Sequence, residues 1–268
     1  MRRDQPSFVI PMFVSAALLI GSAVHSQSVS TGGKLYDKWW SEAEVTAPDA
    51  DQSLWATQSS NTRSGADSWR CKECHGWDYK GADGAYGSGS HKTGFAGVFA
   101  TAVSLSEDEL TAWLNGTANS DHDFSAMGDS QIPHIVRFLQ EGLIEVAPFI
   151  DPETKAAIGG DETHGAELFV SSCAFSACHG DDGRAINFKN PDDPEYVGTI
   201  AADNPWEFIH KVRFGNPGTA MPAAVDEGWT MADIIDVMAF AQTLPTGPDV
   251  PTAVEPMGWA VAKQAAAR

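Results

Sequence analysis

Two short clusters in this chain combine thiols with an imidazole. The first is Cys71-Lys72-Glu73-Cys74-His75, and the second is Cys173-Ala174-Phe175-Ser176-Ala177-Cys178-His179. All 4 cysteines of the chain lie in them. A Cys-x-x-Cys-His run is the pattern through which haem c is attached. The two thiols add across the porphyrin vinyl groups, and the adjacent histidine is forced under the iron as its proximal ligand. Short spacing suits this chemistry because both vinyls lie on one side of the macrocycle. The competing readings are a disulfide, a redox-active dithiol or half a zinc site. The immediate histidine speaks against the first two. No further ligands follow at zinc-finger spacing.

The second cluster is looser. It resembles the expanded attachment sequence of some multihaem cytochromes, and its competing reading is a local disulfide. His179-Gly180 mirrors His75-Gly76, which favours attachment. The expectation is two covalently bound haem c groups on Cys71, Cys74, Cys173 and Cys178, with His75 and His179 on the irons.

The elements around the clusters follow from periodicity and punctuation. Leu35, Tyr36, Trp39 and Trp40 share one face of a short helix. Residues 41–70 form a long polar insertion, and 76–104 is a Gly-rich stretch suited to wrapping something flat. Ser106 opens a helix with acidic residues in its first turn, which stops near Asn115-Gly116. A second helix runs over about 130–143, with Pro133 in its first turn. The later half repeats the plan, with helices over 161–170, 205–214 and 230–244. Phe138-Leu139-Gln140 matches Phe240-Ala241-Gln242, and Met127 and Met221 occupy comparable places. A duplicated unit with one Cys-His motif and one methionine is the simplest account.

Residues 160–245 resemble a class I cytochrome c domain. The residues that carry this are Gly165 and Phe169, Cys178-His179-Gly180, Met221-Pro222, and Ile235 to Leu244. The resemblance implies an all-α fold of two tandem cytochrome c-like helical domains with long irregular loops. It implies that the first and last helices cross near a small residue and an aromatic, and that Met221 ligates the second iron. The first half resembles the family less closely. Its candidate Met127 is followed by Gly128 rather than proline, and His91, His122 and His134 are its rivals as distal ligand. Met231 and Met238 read as core fillers, Met257 lies in the tail, and His164 and His210 carry no supporting motif. The expected domains are 27–148 with the insertion at 41–70, a linker at 149–160, 161–245, and a tail at 246–268.

Iron held by histidine and methionine has no open position, which suits electron transfer. The alternative is a dihaem enzyme, peroxidase-like or thiosulfate dehydrogenase-like, working at an open site on the first haem. The insertion and the Gly-rich loop would then form a substrate pocket. The sulfur-oxidising kind commonly uses a cysteine ligand, and here no cysteine is spare. A third possibility is a subunit dedicated to one larger redox enzyme.

Composition narrows the partners. The net charge of −19 excludes nucleic acid by repulsion. It is a solvated acidic surface or a surface that steers toward a redox partner with a basic docking patch. Arg2, Arg3 and the apolar run Phe8–Val24 read as an export signal cleaved after Ser26, giving residues 1–26 as signal peptide and a periplasmic protein. A membrane enters only if that segment stays uncleaved as an anchor.

Overall fold

The computed structural model describes residues 15–175 and 177–248. The basic start of the expected signal, Ser176, and the tail from 249 with Met257 lie outside the described residues. Among the described residues all regular structure is helical, with isolated β-bridges and no strand. This is the all-α, cytochrome c-like class expected. No described helix is long and apolar enough to cross a membrane.

The helices are α1 (Ser15–Glu42), α2 (Cys71–His75), α3 (Glu107–Leu114), α4 (Ile132–Arg137), α5 (Glu162–Ser172), α6 (Val197–Asp203), α7 (Pro205–Phe214) and α8 (Met231–Ala241). Compactness cuts across chain order. One unit comprises residues up to Pro148 together with Trp206–Ile234, and the other comprises Phe149–Pro205 together with the residues from Ile235.

In the first unit, α1 leaves helical geometry at Lys38. Leu35, Tyr36, Trp39 and Trp40 are buried, so the apolar stripe of the sequence faces the core. α1 packs along α4 and the π-turn Phe138–Gly142 that continues it. The closest approach is at Gly32, where a Cβ would stand 2.2 Å from His134 O and 2.4 Å from Phe138 Cβ. One turn later Tyr36 meets the Phe138 ring at 5.4 Å. The single helix expected over 130–143 is therefore a short α-helix that widens into a π-turn. The widened turn buries Phe138, Leu139 and Gly142.

Neighbouring Gly33 admits α7, since a Cβ there would lie 2.4 Å from Phe214 Cγ. His210 of α7 is buried, with Nε2 2.9 Å from Gly33 O and Nδ1 2.9 Å from the Tyr79 hydroxyl. This packing is why 206–234 groups with the earlier residues. α3 starts as expected. Ser106 Oγ accepts from Glu109 N while the Glu109 carboxylate accepts from Ser106 N, a reciprocal capping box.

In the second unit, α5 crosses α8 at Gly165. A Cβ there would lie 1.9 Å from Asp236 O. Phe169, one turn on, meets Phe240 at 5.4 Å. This is the crossing near a small residue and an aromatic that the resemblance implied. α6 was not anticipated. Its Val197, Thr199 and Ile200 are weak helix formers, and tertiary contacts hold it. Gln242 Nε2 donates to Ala201 O at 2.9 Å, and Gly198 leaves room for Leu244 O and Pro245 O, each 2.6 Å from the site of a Cβ.

Candidate functional site

All 4 cysteines are free thiols, so neither disulfide reading describes this structure. Cys71, Cys74 and His75 share the single turn of α2. Burial pushes the Cys71 and Cys74 thiols up to about 12, so both are neutral at ordinary pH. A thioether is also uncharged, so the same burial does not oppose attachment.

A buried charge network fixes α2 to α1. Asp37 is 1 % exposed. Its carboxylate pairs with the Arg70 guanidinium at the N-cap of α2 and with Lys211 Nζ at 2.6 Å. Burial alone would raise the Asp37 pKa. The two cations outweigh it and hold the carboxyl well below the usual carboxylate range. Glu73, inside the motif, is 0 % exposed and pairs with Lys72, with Arg63 at 3.5 Å and with His91 at 3.5 Å. Sequence reasoning missed both networks, because nothing in a motif shows that its variable positions are buried.

The insertion supplies much of that burial. Gln52 N donates to Ser68 Oγ at 2.9 Å, and Trp55 Nε1 donates to Arg63 O at 2.8 Å. Trp69 Nε1 donates to Ala50 O at 2.8 Å, and Trp39 Nε1 donates to Trp69 O at 3.2 Å. Residues 41–70 thus form a strap folded onto α1 and α2.

The Gly-rich loop is pinned to itself. Ala82 N donates to Phe95 O at 2.8 Å and Val98 N to Tyr79 O at 2.7 Å. A Cβ at Gly97 would lie 2.3 Å from Lys80 C, so only glycine fits there. The loop brings Ala96 O to 2.7 Å from His75 Nδ1. Burial first, and His122 to a lesser degree, lowers the His75 pKa to about 4 against the pull of the Ala96 carbonyl. The neutral ring therefore donates through Nδ1 and keeps its Nε2 lone pair for a metal.

The candidate second ligands for the first iron stand in different settings. The His122 ring centre lies 6.3 Å from that of His75. Met127 ends the turn Ser125–Met127 and is 1 % exposed. His91 stacks on Tyr86 at 4.4 Å. His134 lies in α4, with its carbonyl beneath Gly32.

The second cluster is a loop rather than a helical turn. Cys173 closes α5 and its amide bonds Phe169 O at 2.8 Å. The chain then doubles back, with Cys178 N on Phe175 O at 2.8 Å and His179 N on Cys173 O at 3.2 Å. That reversal sets the His179 backbone beside the Cys173 carbonyl. Burial raises the Cys173 thiol to about 11, whereas Cys178 is exposed. Burial lowers the His179 pKa, and its enclosed Nδ1 has no hydrogen-bond partner among the described residues. Phe188 stands 5.9 Å from the His179 ring and, with Phe175, is exposed, an apolar rim for a flat ligand. Met221 lies in the loop after α7, within the first unit and half-buried. Two thiols and a neutral imidazole in each cluster form a donor set that fits haem c.

Residues 160–240 match the family model described as cytochrome c oxidase, cbb3-type, subunit III. That match makes this region a c-type cytochrome domain, an electron-transfer module whose family carries covalently bound haem c. No curated protein and no solved structure matches the chain.

Proposed function

We propose that the chain is an exported dihaem c-type cytochrome that carries electrons between a respiratory donor and a terminal acceptor or partner redox enzyme. One observation carries the two-haem reading. The glycine crossing recurs in both units with the same internal spacing. Gly32 lies over His134 O with Tyr36 on Phe138, and Gly165 lies over Asp236 O with Phe169 on Phe240. In each case the carbonyl belongs to the residue four before the aromatic. The first half thus repeats the frame of the region matched to the cytochrome family, and it holds its own Cys-x-x-Cys-His.

Haem c, when bound, supplies reversible one-electron chemistry. The residues of this chain then hold and tune it. Cys71 and Cys74, and Cys173 and Cys178, tether the two groups, and His75 and His179 present neutral imidazoles. The Ala96 carbonyl fixes the orientation of the first ring. The charge of −19 supports weak, salt-sensitive docking to a basic patch on a partner. The apolar run from Phe8 supports export through a cleaved signal to the periplasm.

Haem staining of the denatured protein tests this, with peptide masses at each motif. Two peptides, each heavier by one haem, are expected. Replacing Cys71 and Cys74 by Ala, or Cys173 and Cys178 by Ala, should each halve the covalent haem. Colour extracted wholly by acidic acetone would overturn the proposal.

A further inference from the structure

The structure assigns the far side of the first iron to His122, not Met127; this rests on haem being attached at Cys71 and Cys74. With metal–imidazole bonds of roughly 2 Å, and each nitrogen roughly 1 Å from its ring centre, two imidazoles on opposite sides of one iron have centres roughly 6 Å apart. His75 and His122 stand 6.3 Å apart, with their planes at 57°. Ordinary aromatic neighbours also fall within about 4.5–7 Å, so distance does not decide alone.

The tethers decide. A histidine on a metal commonly donates its other ring N–H to a carbonyl, which fixes tautomer and direction. His75 Nδ1 is 2.7 Å from Ala96 O, and His122 Nδ1 is 3.0 Å from Trp113 O. Both rings are thereby held as Nδ1–H tautomers with Nε2 left to bind iron. An accidental ring contact has no reason to show this on both sides.

The local fold explains how His122 reaches its place. Trp113 lies in the last turn of α3, where carbonyls lack intrahelical partners. Gly116 has a φ of 76° and turns the chain, and Asn115 pairs with Asp123 across the loop. Ala118 N then bonds Ala112 O at 2.8 Å, His122 N bonds Asn119 O at 2.9 Å, and Phe124 N bonds Leu114 O at 2.8 Å. Gln52 of the strap donates to Asp121 O and clamps the loop from outside. Phe124, at 4.8 Å, flanks the imidazole. Three residues beyond Phe124, Met127 is sealed in the core, whereas His122 and His75 are each half-buried.

The experiment uses the full-length ferric holoprotein. Near-infrared magnetic circular dichroism separates imidazole–imidazole iron from imidazole–thioether iron. We expect a bis-imidazole signature from one haem. His122→Ala should turn half of the haem iron high-spin and able to bind carbon monoxide, whereas Met127→Leu should leave all of it low-spin. The assignment is overturned if the unmodified protein has no bis-imidazole haem, or if Met127→Leu opens the site and His122→Ala does not. The unmodified spectrum decides even if His122→Ala does not accumulate. A peptide spanning Cys71–His75 without haem would instead remove the functional reading beneath it.

Discussion

Around His75 the chain supplies a helical turn, a covering strap, a carbonyl for Nδ1 and two buried charge networks. Around His179 it supplies a reversed loop, an exposed Cys178 and an Nδ1 with no partner among the described residues. Both stand on the same glycine crossing of a first and a last helix. The difference teaches that the crossing sets the frame, while the loops set how tightly each imidazole is held and how dry its surroundings are.

The comparison breaks most sharply at Asp37. Asp37→Ala leaves Arg70 and Lys211 enclosed without their carboxylate, which should cost about 3–5 kcal/mol. Denaturant unfolding should show that loss, with axial ligation of the haem tethered at Cys71 and Cys74 lost well before that of the haem at Cys173 and Cys178. Equal loss at both motifs would show that the two sites are not separately supported.

A pH series sharpens the contrast. Burial first, partly offset by Asp37 and the Gly33 carbonyl, lowers His210 to about 4, against an ordinary value of about 6.5. Between these values the unfolded chain binds the extra proton, so stability is full above the ordinary value and falls as pH drops toward 4, by roughly 3 kcal/mol. Asp37 then adds a further loss as pH falls below the ordinary carboxylate range. His210→Phe should flatten the upper part of this slope in thermal unfolding at stepped pH. An unchanged slope would assign it to another group.

Gly32→Ala and Gly165→Ala test what the two units share. Each added methyl meets a backbone carbonyl well inside contact distance, and forced overpacking costs about 1–3 kcal/mol. The two losses should be similar when read from urea midpoints, and a tolerated Gly32→Ala would deny the first unit the crossing. The smallest effect is expected at the α3 cap, where Ser106→Ala should cost about 1 kcal/mol by the same assay.

Some of this was present in residue order because it depends on neighbours along the chain. The cysteines and histidine of each motif sit within a few positions of one another, and helix starts such as Ser106 and Asp161 are written by side chains that bond their own backbone. Gly165 and Phe169 were readable through the family resemblance. Gly32 and Tyr36, which play the same part, were not, because no second motif marks them.

Sequence alone placed both cysteine pairs next to a histidine, a spacing that fits haem attachment, and it determined that the chain is helical. Tertiary structure alone decided that Lys72 and Glu73 are buried, that the insertion is a strap, and that the His122 ring stands 6.3 Å from that of His75. Those outcomes depend on where loops dozens of residues apart return to one another. Hydrogen bonds to distant carbonyls and the closeness of a glycine contact settle that, and neither has a signature along the chain.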